Sequence, residues 1–216
     1  MTTGVIFDCD GTLLDSMESW RIVEDSILVS GGVEPSDKIT AELGPLTIPE
    51  AGAHLHEKYG IGTSGEDVKR MIDEGMLDYY RNEVEPREGA LEFVRALHEA
   101  GVKCSVASSS PQPYLQAGLE YTGFTPYLEA IVSVDDVGRS KREPAVFDEA
   151  RRLMGTALED TWGFEDSLYA VHTLNNAGYK SVGIYDTDLA GTFEELQATA
   201  DIAVRTFEAL DVKTFL

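Results

Sequence analysis

The stretch Gly4-Val5-Ile6-Phe7-Asp8-Cys9-Asp10-Gly11-Thr12-Leu13-Leu14-Asp15-Ser16 constrains this chain more than any other. Val5, Ile6 and Phe7 form a short β-branched and aromatic run, the pattern of a parallel strand buried on both faces. Two carboxylates follow where that strand ends. Alternate residues of an extended chain point the same way, so Asp8 and Asp10 share a face and Cys9 turns aside. Gly11 permits a tight turn, and Thr12 adds a hydroxyl beside backbone N–H groups, a combination that can hold phosphate oxygens. Two close carboxylates repel each other unless a cation lies between them, and hard oxygen donors select Mg2+. The plain alternative is a strand ending in a polar turn, where Asp and Gly are common. The rest of the chain decides between the two.

Residues 17–86 read as helical. The segment 18–29 carries apolar positions at Trp20, Val23, Ile27 and Leu28 on roughly one face, and Gly31-Gly32 breaks it. Shorter helices are predicted over 37–43 and 49–59, the latter with Thr47 as a cap ahead of Pro49 in the first turn. A longer one over 64–80 opens on Ser64 followed by the first-turn acids Glu66 and Asp67. No strand signal interrupts this region. From Arg87 onward helices alternate with short apolar strands at 102–107, 130–132, 161–164, 180–184 and 202–204. That alternation predicts an α/β parallel sheet covered on both faces, with the helical region inserted after its first strand.

In such sheets ligands lie beyond the carboxyl ends of the strands, so the residues after each strand carry the functional signal. Asp8 and Asp10 follow the first. Ser108-Ser109-Ser110-Pro111 follows the second and supplies hydroxyls and N–H groups at a helix entrance, although capping alone accounts for one serine. The segment after the third offers a cation at Lys141, and Glu165-Asp166-Ser167 follows the fourth. Singly these are ordinary surface residues. In this order they resemble the haloacid dehalogenase superfamily, whose phosphatases and phosphomutases carry D-x-D-G-T-L-x-D-S, then a Ser or Thr, a Lys ahead of P-x-x-F, and F-E-D-S. Asp8 through Ser16, Ser108, Lys141 before Pro144-Ala145-Val146-Phe147, and Phe164 through Ser167 match. The usual K-P-x-P-D-x-F reads Lys141-Arg142-Glu143-Pro144-Ala145-Val146-Phe147, losing one Pro and the Asp, which touches local packing more than chemistry.

The resemblance covers the whole chain and implies a Rossmann-like parallel-sheet core, residues 1–16 and 87–216, with an α-helical cap over residues 17–86. This is the arrangement of the β-phosphoglucomutase and phosphoglycolate phosphatase branch. By that resemblance Asp8 is a nucleophile that becomes an aspartyl-phosphate, and Asp10 is a general acid/base. Ser108 and Lys141 hold phosphate oxygens, with Gly11 and Ser109 beside them. The same resemblance assigns Mg2+ to Asp8, the backbone carbonyl of Asp10 and Asp166, with Glu165 acting through water or behind them. The presence of Asp10 argues against a dehalogenase proper, a branch that lacks the second Asp. Trp20, Arg21 and the 44–47 segment, including Thr47, are the expected cap contacts to substrate; the bland reading of Trp20 is core packing.

The expected activity is a Mg2+-dependent phosphatase acting on a small phosphorylated metabolite. The alternative is a sugar phosphomutase of the β-phosphoglucomutase type, and a non-catalytic binding protein is disfavoured because every expected catalytic position is filled. A mutase must hold a second phosphate with a cap cation, and Ile48 stands where the β-phosphoglucomutase pattern places arginine. His54 and His56, two apart on a predicted helix, do not form a zinc pair and are expected to face solvent. A net charge of −22 argues against nucleic acid and anionic membranes as partners, and sits awkwardly with an anionic substrate. No apolar run approaches the ~20 residues of a membrane helix, and no basic-then-apolar leader is visible. Cys9 and Cys104 form no disulfide framework, and a cytoplasmic location is the default. Between two aspartates the Cys9 thiolate is disfavoured as a nucleophile.

Overall fold

The computed structural model describes residues 3–44 and 46–216, and it divides into two compact units. One comprises Met1–Ser16 with Val84–Leu216, the other Met17–Glu83. The chain opens with β1 (Gly4–Phe7) and the two-residue β2 (Leu14–Asp15), then enters the helical unit through α1 (Ser19–Ser30), α2 (Asp37–Leu43), α3 (Ile48–Tyr59) and α4 (Gly65–Asn82). It returns through β3 (Glu85–Pro86) and α5 (Ala90–Glu99) to β4 (Lys103–Ser108), α6 (Gln112–Tyr121), β5 (Ala130–Ser133), α7 (Val134–Val137) and α8 (Ala145–Met154). The last elements are β6 (Thr161–Glu165), α9 (Leu168–Ala177), β7 (Lys180–Ile184), α10 (Phe193–Thr199) and β8 (Ile202–Val204).

Six strands form one parallel sheet in the order β5-β4-β1-β6-β7-β8. β1 is central because all four of its residues are buried and it must be covered on both faces and both edges. Successive side chains alternate between faces, and the core divides accordingly. Ile6 joins Ala107, Val132, Val146, Phe147, Ala150, Met154, Ala170 and Leu174 in one cluster. Phe7 belongs to an aromatic cluster, 4.8 Å from Phe164 between ring centroids and 6.4 Å from Phe207. Phe93 closes it, 5.5 Å from Phe207 and edge-on to Phe215 at 5.7 Å. Burying each such ring is worth about 1.5–3 kcal/mol, so the C-terminal 3-10 turns at Phe207–Ala209 and Val212–Phe215 are structural parts of the core.

α9 approaches β6 closely because Gly163 has no Cβ; one built there would meet both Leu174 methyls at 2.5 Å. That approach sets the start of α9 directly beyond the end of β6. The chain reverses direction across the sheet at β1, with β4 on one side and β6 on the other, so a crevice forms beyond their carboxyl ends.

The helical unit is built on α4, which buries Val68, Ile72, Met76 and Tyr80 at a strict four-residue spacing. Ser64 caps it by accepting from the Asp67 N–H at 3.1 Å. α3 starts at Thr47, whose N–H and hydroxyl both donate to the Glu50 carboxylate, at 2.8 and 2.7 Å. α1 buries Ser19, Val23, Ile27 and Leu28. Trp20, expected on that apolar face, is instead exposed; it is the second residue of α1, in the helix's first turn. Pro45, within the segment expected to contact substrate, lies outside the described residues. His54 and His56 are half-buried rather than solvent-facing: His54 bonds Glu42 at 3.1 Å and His56 bonds the Ile61 carbonyl at 2.9 Å.

Two further features differ from the sequence reading. β2 and β3 pair antiparallel, Leu14 with Pro86 and Asp15 with Glu85, so a short ribbon joins the two linkers. Residues 84–86 therefore go with the sheet-bearing unit. Two-residue strands carry no alternation, and Pro86 argued against one; an edge position tolerates it. The short α7 and α10 were also unsignalled. α10 is announced only by a Thr192 cap whose hydroxyl accepts from the Glu195 N–H at 3.2 Å. Among the described residues, no helix is long and apolar enough to cross a membrane.

Candidate active site

The carboxyl ends of β1, β4 and β6 and the loop before α8 deliver the residues that the sequence singled out. Asp8 continues β1 and is held in sheet register by its N–H, which donates to the Phe164 carbonyl at 2.9 Å. Lys141 bonds both Asp8 and Glu165, the latter at 2.6 Å, although 133 residues separate it from Asp8 in sequence. Oxygens of Asp8, Glu165 and Asp166 lie within 4.8 Å of one another, and all three residues are buried. Lys141 itself is 3% exposed.

These charges are out of balance. Burial raises the Asp8 carboxyl above the usual range, against the opposing pull of Lys141. Burial pushes Glu165 well up, again opposed by Lys141. Burial and then Asp8 push Asp166 up to about 7. Burial works against the Lys141 ammonium too, yet Asp8 and Glu165 outweigh it and hold the amine above its ordinary value. Three buried carboxylates face one ammonium, and the acids are the groups left short of positive charge. A small divalent cation with a taste for carboxylate oxygen fits this donor set.

Asp10 stands apart from the acid cluster. Its two oxygens accept from different hydroxyls, Oδ1 from Ser16 at 2.6 Å and Oδ2 from Ser110 at 2.5 Å. The part expected of Asp10 in the ligand set is its backbone carbonyl, while its carboxylate is oriented by the two serines. Gly11 takes a left-handed conformation (φ 81°), and its N–H donates to the Leu14 carbonyl at 2.9 Å. What Gly11 supplies is the turn and not a free donor. Thr12 is fully buried and its hydroxyl has no partner among the described residues. Ser108 is buried, with Oγ accepting from the Ser110 N–H at 3.0 Å. Cys9 is buried, and burial followed by Asp10 and Asp8 drives its thiol well up, so it stays protonated.

Against this geometry, the haloacid dehalogenase-like hydrolase family profile matches residues 5–184, spanning β1 through β7. The chain belongs to that family. Among curated relatives, the pyrophosphatase PpaX of Halalkalibacterium halodurans is 26% identical over 196 residues, covering 82% of this chain and 80% of its own length. The phosphoglycolate phosphatase of Rhodobacter capsulatus is 26% identical over 187 residues, covering 82% of both chains. The fold matches a crystal structure described as "putative beta-phosphoglucomutase from Thermotoga maritima", with a TM-score of 0.86 at 23% identity over 99% of each chain.

For this member of the hydrolase family, three expectations on the helical unit have local explanations. Arg21 is 62% exposed at its side chain and lies 3.8 Å from Asp25 and 4.0 Å from Asp37. Thr47 closes the N-terminus of α3, and Trp20 is a surface residue of α1. On the sheet-bearing unit, Ser109 is exposed, in the loop after β4. The sequence reading missed Ser16 and Ser110 as partners of Asp10, and Tyr169 altogether. The serine run carried a signal for Ser110, but nothing in it told which serine turns toward Asp10.

Proposed function

We propose that this hydrolase is a phosphatase of small phosphate monoesters that works through an aspartyl-phosphate on Asp8 and uses Mg2+. The observation that supports it most is the buried set of Asp8, Lys141, Glu165 and Asp166, with Asp10 held separately by two serines. Asp8, Asp166 and the Asp10 carbonyl would hold the ion, with Glu165 behind them. When bound, it supplies positive charge to the transferring phosphoryl group and to the attacking carboxylate.

The chain's own residues do the rest. Asp8 attacks phosphorus in line, and Lys141 favours its ionised form and neutralises a phosphate oxygen. Thr12, whose buried hydroxyl lacks a protein partner, and Ser108 hold further oxygens. Asp10 gives a proton to the leaving oxygen, then takes one from the water that attacks the acyl phosphate. Its two serine bonds orient the carboxylate toward that task without bringing it into the acid cluster. Hydrolysis is preferred to phosphomutation because Ile48, half-buried at the start of α3, is apolar and offers nothing to a second phosphate. A cytoplasmic location suits the free cysteines Cys9 and Cys104, both buried.

The test is phosphate release from a panel of phosphate monoesters with Mg2+ and with EDTA. Asp8→Ala abolishes turnover, and Asp10→Asn leaves a phosphoryl-enzyme that forms or decays poorly. Near-normal rates in Asp8→Ala would refute the covalent mechanism. Supplying β-glucose 1-phosphate with a trace of its bisphosphate separates the alternatives: isomer outrunning free phosphate would identify a mutase.

A further inference from the structure

Arg142 follows Lys141 directly and occupies a position where the family pattern has proline. Proline there presents neither charge nor donor, whereas Arg142 places a cation one residue from the buried lysine. The guanidinium lies over the Tyr169 ring, its carbon 4.8 Å from the ring centroid. Tyr169 stands in the first turn of α9 and is 39% exposed. It also lies close enough to Glu165, Lys141 and Asp8 to feel their charges. The loop after β6 and the segment before α8 therefore meet here, at the margin of the acid cluster.

Arg142 is also exposed and uncommitted. Arg139 pairs with Glu143 at 3.5 Å, whereas among the described residues no carboxylate lies within 4.0 Å of Arg142. A guanidinium resting on an aromatic face is oriented without being neutralised, and its planar fork stays free for a bidentate anion. The bland reading is a flat side chain covering a tyrosine.

We propose that Arg142, seated on Tyr169, binds a second anionic group of the substrate, a carboxylate or a further phosphate, while the first phosphate occupies the acid cluster. This rests on the phosphatase reading. Tyr169 acts as a positioning residue.

The experiment compares 2-phosphoglycolate, which adds a carboxylate, fructose 1,6-bisphosphate, which adds a phosphate, and glycerol 2-phosphate, which adds no charge. The ratio of kcat/KM for each anionic ester to that for glycerol 2-phosphate falls about tenfold in Arg142→Ala and in Arg142→Pro, the loss expected for one charge-assisted contact. Whichever anionic arm moves identifies the second group. Tyr169→Phe keeps the ring and largely keeps the ratio, whereas Tyr169→Leu lowers it. Titration calorimetry on an Asp8→Asn background repeats the comparison without turnover, so the proposal is judged by binding even when no ester is hydrolysed. Failure of all three esters to release phosphate strikes at the phosphatase reading. Equal affinities for all three esters, no measurable binding of either anionic ester, or ratios unmoved by Arg142→Ala would overturn the role of Arg142.

Discussion

Ser110→Ala is the most informative single change in the site, because it removes one atom from Asp10 and little else. The hydroxyl donates to Asp10 Oδ2 at 2.5 Å, while Ser16 holds Oδ1 at 2.6 Å. The main-chain contacts of Ser110 survive the change: its N–H still reaches Ser108 Oγ at 3.0 Å, and its carbonyl still accepts from Ser133 Oγ at 2.8 Å. The loop should therefore keep its shape. A hydrogen bond to a carboxylate is worth about 1.5–3 kcal/mol net. If that sum serves to aim Asp10 at the leaving oxygen, the barrier rises by the same amount and kcat falls about 10- to 150-fold. On the proposed mechanism KM changes little, because the phosphate is held by Lys141, Thr12 and Ser108 rather than by Asp10. Steady-state phosphate release on one good ester gives both constants, and a thermal melt confirms that folding is intact. A kcat within threefold of wild type, in a protein that melts normally, would refute the claim that the two serines position Asp10.

Two further outcomes test the packing and the helical unit. Gly163→Ala drives a methyl into Leu174 and costs about 1–3 kcal/mol in urea denaturation, and the Gly163→Ala/Leu174→Ala double variant loses less than the two single losses added together; strict additivity would contradict the close approach of α9 to β6. In α1, burial and the adjacent Asp25 raise Glu24 to about 7, so its protonation favours the folded state. That contribution is fully present below the unfolded value and is lost as pH rises through about 7, so Glu24→Gln raises Tm at pH 8 and not at pH 4; an unchanged pH slope between variant and wild type would contradict it.

The sheet was readable because each strand is a short apolar run bounded by turns and separated from the next by a helix, and Val5-Ile6-Phe7 is the clearest. Charged and hydroxyl residues at strand ends were readable for the same reason: once a strand is placed, its carboxyl end is placed too. What could not be read depends on contacts distant in sequence. Phe207 and Phe215 sit in polar C-terminal turns with no period of their own, and only the folded sheet shows the gap beside Phe7 and Phe93 that they fill. Ser110 and Asp10 lie 100 residues apart, so nothing local distinguishes Ser110 from Ser109. Trp20 shows the opposite failure. A tryptophan in phase with Val23 and Ile27 was drawn into the apolar face by pattern, whereas in the first turn of α1 it stays exposed.

The charge of the chain poses a problem that its distribution sharpens. Of the 39 acidic and 17 basic residues, the helical unit 17–83 holds 14 and 6, and the rest of the chain 25 and 11, so neither unit is basic overall. Many of the cations are already engaged: Lys58 with Glu42, Lys69 with Asp73, Arg70 with Asp67 and Glu74, and Arg87 with Asp186. A dianionic ester therefore approaches through a repulsive field until it meets the short-range attraction of Lys141. Raising ionic strength from about 0.01 to 0.1 M shortens the screening length from about 30 to about 10 Å, which removes the distant repulsion and leaves a buried contact almost untouched. With free Mg2+ held constant, kcat/KM for a dianionic ester then rises about two- to fivefold over that range, an effect on encounter and not on kcat. Arg142→Ala steepens the rise, since it removes an exposed cation near the site. A flat or falling salt profile in the wild-type enzyme would show that the local field at Lys141 and Arg142 dominates at all distances, and that the surface acidity has no part in catalysis.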